Sequence, residues 1–311
     1  VLRFIITDVQ GGQSEVKAVI SAVLNSELDV PADDLTVTMP YDEKISKNAD
    51  TITAYADGKV VFTGQIDEVT NLCSCEQAVT KISARSLAGK LLDNEAEAVT
   101  YCCPAADFIF NRHLKPFGIT EFEAENFPYV GILKIDKGMS QWQVFENFCK
   151  IGYGNVPRIT GEGKALFKGC KQGDKIIFGS KGIEYSSLKE NKKRSSLISE
   201  VRVKIDEYGA YDSYVKNKNP ECKNINRVRY VNAAADTSDL STADNIISQS
   251  NSGSYSITLE CIGCLVDILG CEAELDDSRL GRVDNLIVDK LKYSSGKNGE
   301  ITVITLIKEK F

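Results

Sequence analysis

The chain of 311 residues has one histidine, one tryptophan and two methionines, and no apolar run approaches the roughly 20 residues that a bilayer-spanning helix needs. No membrane anchor is expected. Histidine is the commonest proton-transfer group near neutral pH and a frequent metal ligand, and only His113 is available. It stands in NRHLKPFG, where a predicted helix ends before Pro116, and reads as a helix-terminal residue favoured by the helix dipole. Positive charge is also short: 37 Lys and Arg against 44 Asp and Glu leave a formal charge of −7. A nucleic-acid binder takes most of its affinity from clustered cations, so no specific nucleic-acid binding is expected. Residues 1–7 are apolar, too short for a signal-peptide core, and read as a first strand. The protein is expected to be made and kept in the cytoplasm.

Cysteine is plentiful, ten in all, yet the spacing supports neither a disulfide framework nor zinc. Disulfide scaffolds belong to small secreted chains short of core. Cys261-Ile-Gly-Cys264 lacks the second pair of a zinc ribbon, its nearest neighbour being Cys271, and LVDILG after it is too short for the helix of a redox CxxC. Cys73, Cys75, Cys102, Cys103, Cys149, Cys170 and Cys222 share no spacing. Free thiols are the expectation, and no cofactor or metal is implied.

The chain is organised around residues 57–93. Asp57-Gly58 is a turn pair launching a strand with Val60, Phe62, Gly64 and Ile66 on its predicted core face and Val61, Thr63, Gln65, Asp67 and Val69 on the other. A second strand alternates Ala78, Thr80, Ile82 and Ala84 with Val79, Lys81, Ser83 and Arg85, and a short amphipathic turn carries Leu87, Leu91 and Leu92. Such alternation suits an antiparallel sheet covered on one side, as in a barrel or sandwich.

Upstream, residues 14–24 fit helical spacing, but their β-branched content and the alternating LTVTMP that follows favour a strand. Residues 51–56 read as another. From residue 94 the texture turns helical: Ala106, Ile109, Phe110 and Leu114 form one stripe, and a second helix opens with a Ser140/Gln143 capping box, carries Trp142, Phe145, Phe148 and Cys149, and closes at Gly152. Aromatics at that spacing read as core. Strands resume at 176–178, 183–185 and 199–206, then a polar excursion at 207–223, a helix near 238–250 with Leu240, Ala243 and Ile247, and strands at 255–259, 287–293 and 301–307. The order is strands, helical insert, strands, with a hint of internal duplication.

As chemistry, the dense acids Asp276-Asp277 and Glu121, Glu123 and Glu125 are the only candidates for paired acid and base work, and they read as solvated faces. No phosphate loop or nucleophile elbow is present. Not an enzyme is therefore the expectation.

DGKVVFTGQIDEV with ISARSLAGKLLDNEA, LDVPADDLTVTMPY, the 140–152 helix with TGEGKALF, IEYSSLKENKKRSSLISEVRV and ADNIISQSNSGSYSITLE, in that order, resembles the baseplate hub proteins of contractile phage tails, the late control protein D family. The resemblance implies an α+β, mainly β fold: two β-barrel-like tube domains, 1–95 and 169–311, with a smaller α/β insertion at 96–168. It also implies a homotrimeric ring adapting a six-fold tail tube to a three-fold central spike. Partners would be a separate spike protein and the tube protein or other baseplate components, the chain passing from the bacterial cytoplasm into a virion or tail-like particle. An acidic lumen would not retain passing DNA. Thr63, Gln65 and Asp67 become a candidate subunit contact. A tail-associated cell-wall hydrolase is the alternative that the resemblance suggests, and a tail-tip carbohydrate-binding module, resting on Tyr208, Tyr211 and Tyr214, is a further one. The 207–223 excursion and ECIGCLVDILGCE have no counterpart in the resemblance.

Overall fold

The computed structural model describes residues 2–125, 131–170, 175–204, 209–232 and 240–308. It is mainly β with short helices, as the alternation predicts. Two compact units divide it: Val1–Asp174 with Cys261–Cys271 and Asp289–Ile304, and Lys175–Glu260 with Glu272–Val288 and Thr305–Phe311.

The first unit opens with strands β1 (Arg3–Asp8), β2 (Gln13–Glu15), β3 (Ser21–Glu27), β4 (Asp34–Pro40), β5 (Ala49–Ala56), β6 (Lys59–Cys73) and β7 (Ala78–Ser86), and with helix α1 (Glu43–Asn48) before β5. They pair antiparallel in the order β3-β4-β7-β6-β5-β1-β2. The stretch 14–24 is not one strand: β2 and β3 are separate, with Val19 and Ile20 exposed between them. Asp57 and Gly58 both have positive φ (49° and 81°), the two-residue turn whose twist matches a right-handed hairpin. Phe62 and Gly64 are buried, and so are Thr80, Ile82, Ala84 and Ser86 on β7. One departure from strict alternation matters. A bulge between Ile66 and Glu68 returns Val69 to a position opposite Ile82, so Val69 packs on the core side rather than with Thr63. Gly64 cannot be replaced without movement, because a Cβ there would lie 2.3 Å from the Arg85 carbonyl oxygen. Phe4, Ile52, Phe62 and Ile82 form the core, each burial contributing about 1.5–3 kcal/mol.

Helix α2 (Ala88–Asp93) follows, and its Leu87, Ala88 and Leu91 are buried in a second core, while Leu92 is exposed. That core belongs to strands β8 (Val99–Cys102), β9 (Glu121–Glu123), β10 (Ile132–Ile135), β11 (Arg158–Ile159) and β12 (Lys164–Leu166), and to helices α3 (Ala106–Ile109) and α4 (Gln141–Tyr153). After Ile109 the helix widens into a π turn over Phe110–Leu114 and tightens over Lys115–Phe117 before Gly118. The Ser140/Gln143 capping box forms as read, but α4 runs past Gly152 to Tyr153 and stops at Gly154, whose φ of 70° ends it. Phe145, Phe148 and Phe167 meet edge to face, the arrangement aromatic quadrupoles favour. The 160–163 turn lies so close to β6 that a Cβ on Gly161 would fall 2.1 Å from the Val61 carbonyl oxygen.

The second unit holds β13 (Ile176–Gly179), β14 (Ser187–Lys192), β15 (Glu200–Lys204), β16 (Ser213–Lys216), β17 (Val228–Asn232), helix α5 (Leu240–Ser252), most of β18 (Tyr255–Ile262) and β19 (Glu272–Asp277). The long closing strands β20 (Gly281–Gly296) and β21 (Gly299–Lys308) each contribute one part to each unit. In the second unit β14 pairs β18, and β19 lies between β13 and the first part of β20. In the first, Lys290–Ser295 of β20 pairs β3, burying Tyr293 in its core. Residues 183–185 make only a bridge from Ile183 to Phe178, and the strand expected there begins at Ser187. The 207–223 excursion, from residue 209 on, is the returning arm of a hairpin, β16 against β15, with β17 parallel on the other side. Val201, Val203, Val215 and Val231 face Ala243 and Ile247 of α5. Among the described residues no helix is long and apolar enough to cross a membrane.

Candidate functional site

The candidate contact on β6 can be built from its ladder. Thr63 stands opposite Thr53 on β5, and Gln65 lies between Thr51 on β5 and Arg85 on β7; both are half-buried. Asp67 sits in the bulge, where the extra residue frees its side chain from the alternation. Its carboxylate accepts two hydrogen bonds from Arg85, Nε to Oδ2 at 2.8 Å and Nη2 to Oδ1 at 3.0 Å. The same guanidinium donates to Asp93 of α2, at 2.6 Å and 3.1 Å. Arg85 thus clamps hairpin to helix. Its hydrogen bond holds the Asp93 carboxyl below the usual range, while partial burial pushes Asp34 up despite nearby Arg85. Alternation sets Arg85 opposite the Ile82 face of β7, but nothing in its neighbours shows that it unites both acids.

A second charged group lies inside the same unit. Arg158 donates to the carboxylate of Asp33, and its Nη1 also caps the carbonyls of Glu27 (2.7 Å) and Val30 (2.9 Å). Both side chains are less than a tenth exposed. Burial raises the Asp33 pKa, with Arg158 opposing it. These groups satisfy one another and offer nothing to a ligand.

His113 is corrected by the fold. It is buried, with Nδ1 2.7 Å from Gln141 Oε1 and Nε2 3.3 Å from the Tyr101 hydroxyl. Because Gln141 Nε2 donates to the Glu95 carbonyl, its Oε1 is the acceptor, so Nδ1 carries the proton and Nε2 receives the tyrosine O–H. Burial lowers the imidazole pKa. It stands in the last helical turn before Pro116, as the sequence predicts, but as a buried neutral histidine rather than a cation held by the helix dipole.

Four of the five acid candidates are engaged locally, and Glu121 is exposed on β9. Asp277 accepts the backbone N–H of Arg279 and Leu280 and the Tyr185 hydroxyl (2.6 Å), which lower its pKa. Asp276 accepts from the Ser180 hydroxyl, Glu123 pairs with Lys164 and Glu125 with Lys168. All ten thiols are free, and burial pushes both Cys261 and Cys264 to about 11, so they are protonated at neutral pH. Among the described residues no three His, Cys, Asp or Glu converge as a metal site.

Of the tyrosines proposed for a glycan, Tyr208 lies outside the described residues. Tyr211 and Tyr214 are exposed, and so is Tyr230 of β17, outside that set, whose ring lies 5.0 Å from that of Tyr211. The alternating VRYVN around it was the available signal. Elsewhere in the second unit a cleft of about 710 Å³ is lined by Asn217, Asn219, Asn251 and Tyr255; its amides hydrogen-bond one another.

No family model matches the chain, nor does any curated protein sequence. Solved structures do. A tail protein from Neisseria meningitidis MC58 superposes with a TM-score of 0.80 at 17% identity, covering 99% of this chain and 97% of its own. The chain has the fold of a phage tail protein. The 43 kDa tail protein of prophage MuSo2 from Shewanella oneidensis gives 0.77 at 13% identity, covering 99% and 98%. An Escherichia coli type VI secretion component, described as structurally similar to T4 tail proteins gp27 and gp5, gives 0.58 at 10% identity over 94% of this chain and 73% of its own. The tail-protein likeness thus spans both units and the helical insert.

Proposed function

We propose that the chain is a non-enzymatic structural part of a phage or prophage-derived contractile tail, the baseplate hub. Three copies would form a ring adapting a six-fold tube to a three-fold central spike. The observation that carries this reading is the end-to-end match to tail proteins at TM-scores of 0.80 and 0.77. It is an inference from fold, since one fold can host many functions. Two β units per chain, each barrel-like in the assembly, would give three chains six comparable docking places. Thr63 and Gln65 remain the proposed subunit contact; Asp67, already held by Arg85, would contribute charge rather than a free hydrogen-bonding group. The partners would be a separate spike protein and the tube or other baseplate components. Assembly would take place in the bacterial cytoplasm, ahead of residence in the particle. The formal charge of −7 supports a lumen that repels DNA, an idea that a positive lumen potential in the assembled ring would remove.

Light scattering of the purified chain, alone and mixed with a trimeric central-spike protein, tests the reading. A trimer in either sample is expected, and a strict monomer in both overturns it. Turnover of purified peptidoglycan that is lost in Asp276→Asn would instead establish the hydrolase.

A further inference from the structure

The face of the β16-β15-β17 sheet turned away from α5 carries an exposed row of aromatic and charged side chains. Register puts Tyr214, Arg202 and Tyr230 in one row across three strands, since Arg202 pairs with Tyr214 on one side and with Tyr230 on the other. Adjacent strands lie roughly 4.8 Å apart, so the two tyrosine backbones are separated by about 10 Å with the guanidinium between them. Tyr214 and Tyr230 are 57% and 59% exposed. Tyr211 stands edge-on to Tyr230 and props its ring. Lys216 Nζ lies 5.4 Å from the Tyr214 ring centre. Glu200 engages only Arg202 Nε, at 2.6 Å, and the outward Nη groups meet no acceptor among the described residues.

We propose that this face binds an anionic polysaccharide, its tyrosines stacking on sugar rings and Arg202 receiving a carboxylate. Pyranose rings offer C–H faces to the electron-rich face of an aromatic ring, and a guanidinium pairs with a carboxylate through two parallel N–H groups. A protein partner is less well matched: the cores of such interfaces are depleted of charge, whereas here Glu200, Arg202 and Lys216 stand in and around the aromatic row. Single-stranded nucleic acid also stacks on aromatics, but it takes its affinity from a groove of clustered cations tracking the backbone, and this row holds a single guanidinium, partly engaged by Glu200. The site is independent of the hub reading, because a monomeric chain would hold it equally.

Affinity electrophoresis or calorimetry of the full chain tests it with four probes: polygalacturonate, neutral dextran, polyglutamate and oligothymidylate. Polygalacturonate should bind best. Tyr214→Ala and Tyr230→Ala should each weaken it about tenfold, the loss of one aromatic contact, and Arg202→Gln should erase the preference over dextran. All three side chains are exposed, and unchanged melting temperatures would show that the variants fold. Polyglutamate binding as tightly would reduce the face to charge alone, and tighter oligothymidylate binding would make it a nucleic-acid platform. Either result, or variants that bind like the parent, overturns the proposal.

Discussion

Two buried polar groups set the behaviour of this chain at the scale of single residues. Arg158 and Asp33 are enclosed together, so removing one leaves the other charged and unpaired. Arg158→Ala is expected to cost about 3–5 kcal/mol in denaturant unfolding, and replacing both members with apolar residues much less. His113 gives a pH signature. Its folded pKa is lowered, so the unfolded state takes up a proton first as pH falls through about 6.5. The stability tied to the neutral imidazole is present above that pH and is lost below it. Parent protein should therefore lose more melting temperature between pH 7.5 and 6 than His113→Gln does, and equal losses would refute the assignment. Neither role was legible in sequence. NRHLKPFG reads as a helix end because the next residues include Pro116, whereas what buries His113 is Gln141, contributed by another helix 28 positions on.

Elements were far more legible, because the alternation of β4, β6 and β7 and the stripe of α4 are local records of which face is covered. The cap of α4 could be read to the residue: Ser140 Oγ accepts from the Gln143 N–H, and Gln143 Oε1 accepts from the Ser140 N–H. Ser140→Ala should cost about 0.5–2 kcal/mol, measured by chemical denaturation. Gly64→Val should cost about 1–3 kcal/mol or more, since the added carbons meet the Arg85 carbonyl and the Phe62 ring. If Gly64→Val were neutral, the close approach of β6 and β7 would be wrong. The bulge at Asp67 was not legible. Strict period two carries Val69 outward, and only the pairing of Glu68 with Ser83 and Val69 with Ile82 shows that one extra residue has been inserted.

At the scale of the whole molecule, the proposed trimer makes a thermal prediction. Association stabilises the folded state by mass action, so the melting temperature should rise with protein concentration over about a hundredfold range. A concentration-independent transition would count against the hub reading. The sequence by itself determined the mainly β class, the helical insert, the strands β4 to β7 and the closing pair β20 and β21, and the resemblance to tail hubs, because hydrophobic periodicity and turn chemistry are written into neighbouring residues. Tertiary structure alone decided which distant strands pair. It returned Lys290–Ser295 to β3 at the other end of the chain, and it gathered Tyr214, Arg202 and Tyr230 into one row. Partner choice in a sheet depends on backbone hydrogen bonds that every residue but proline can make, so register is set by the packed whole and leaves little trace in any single stretch.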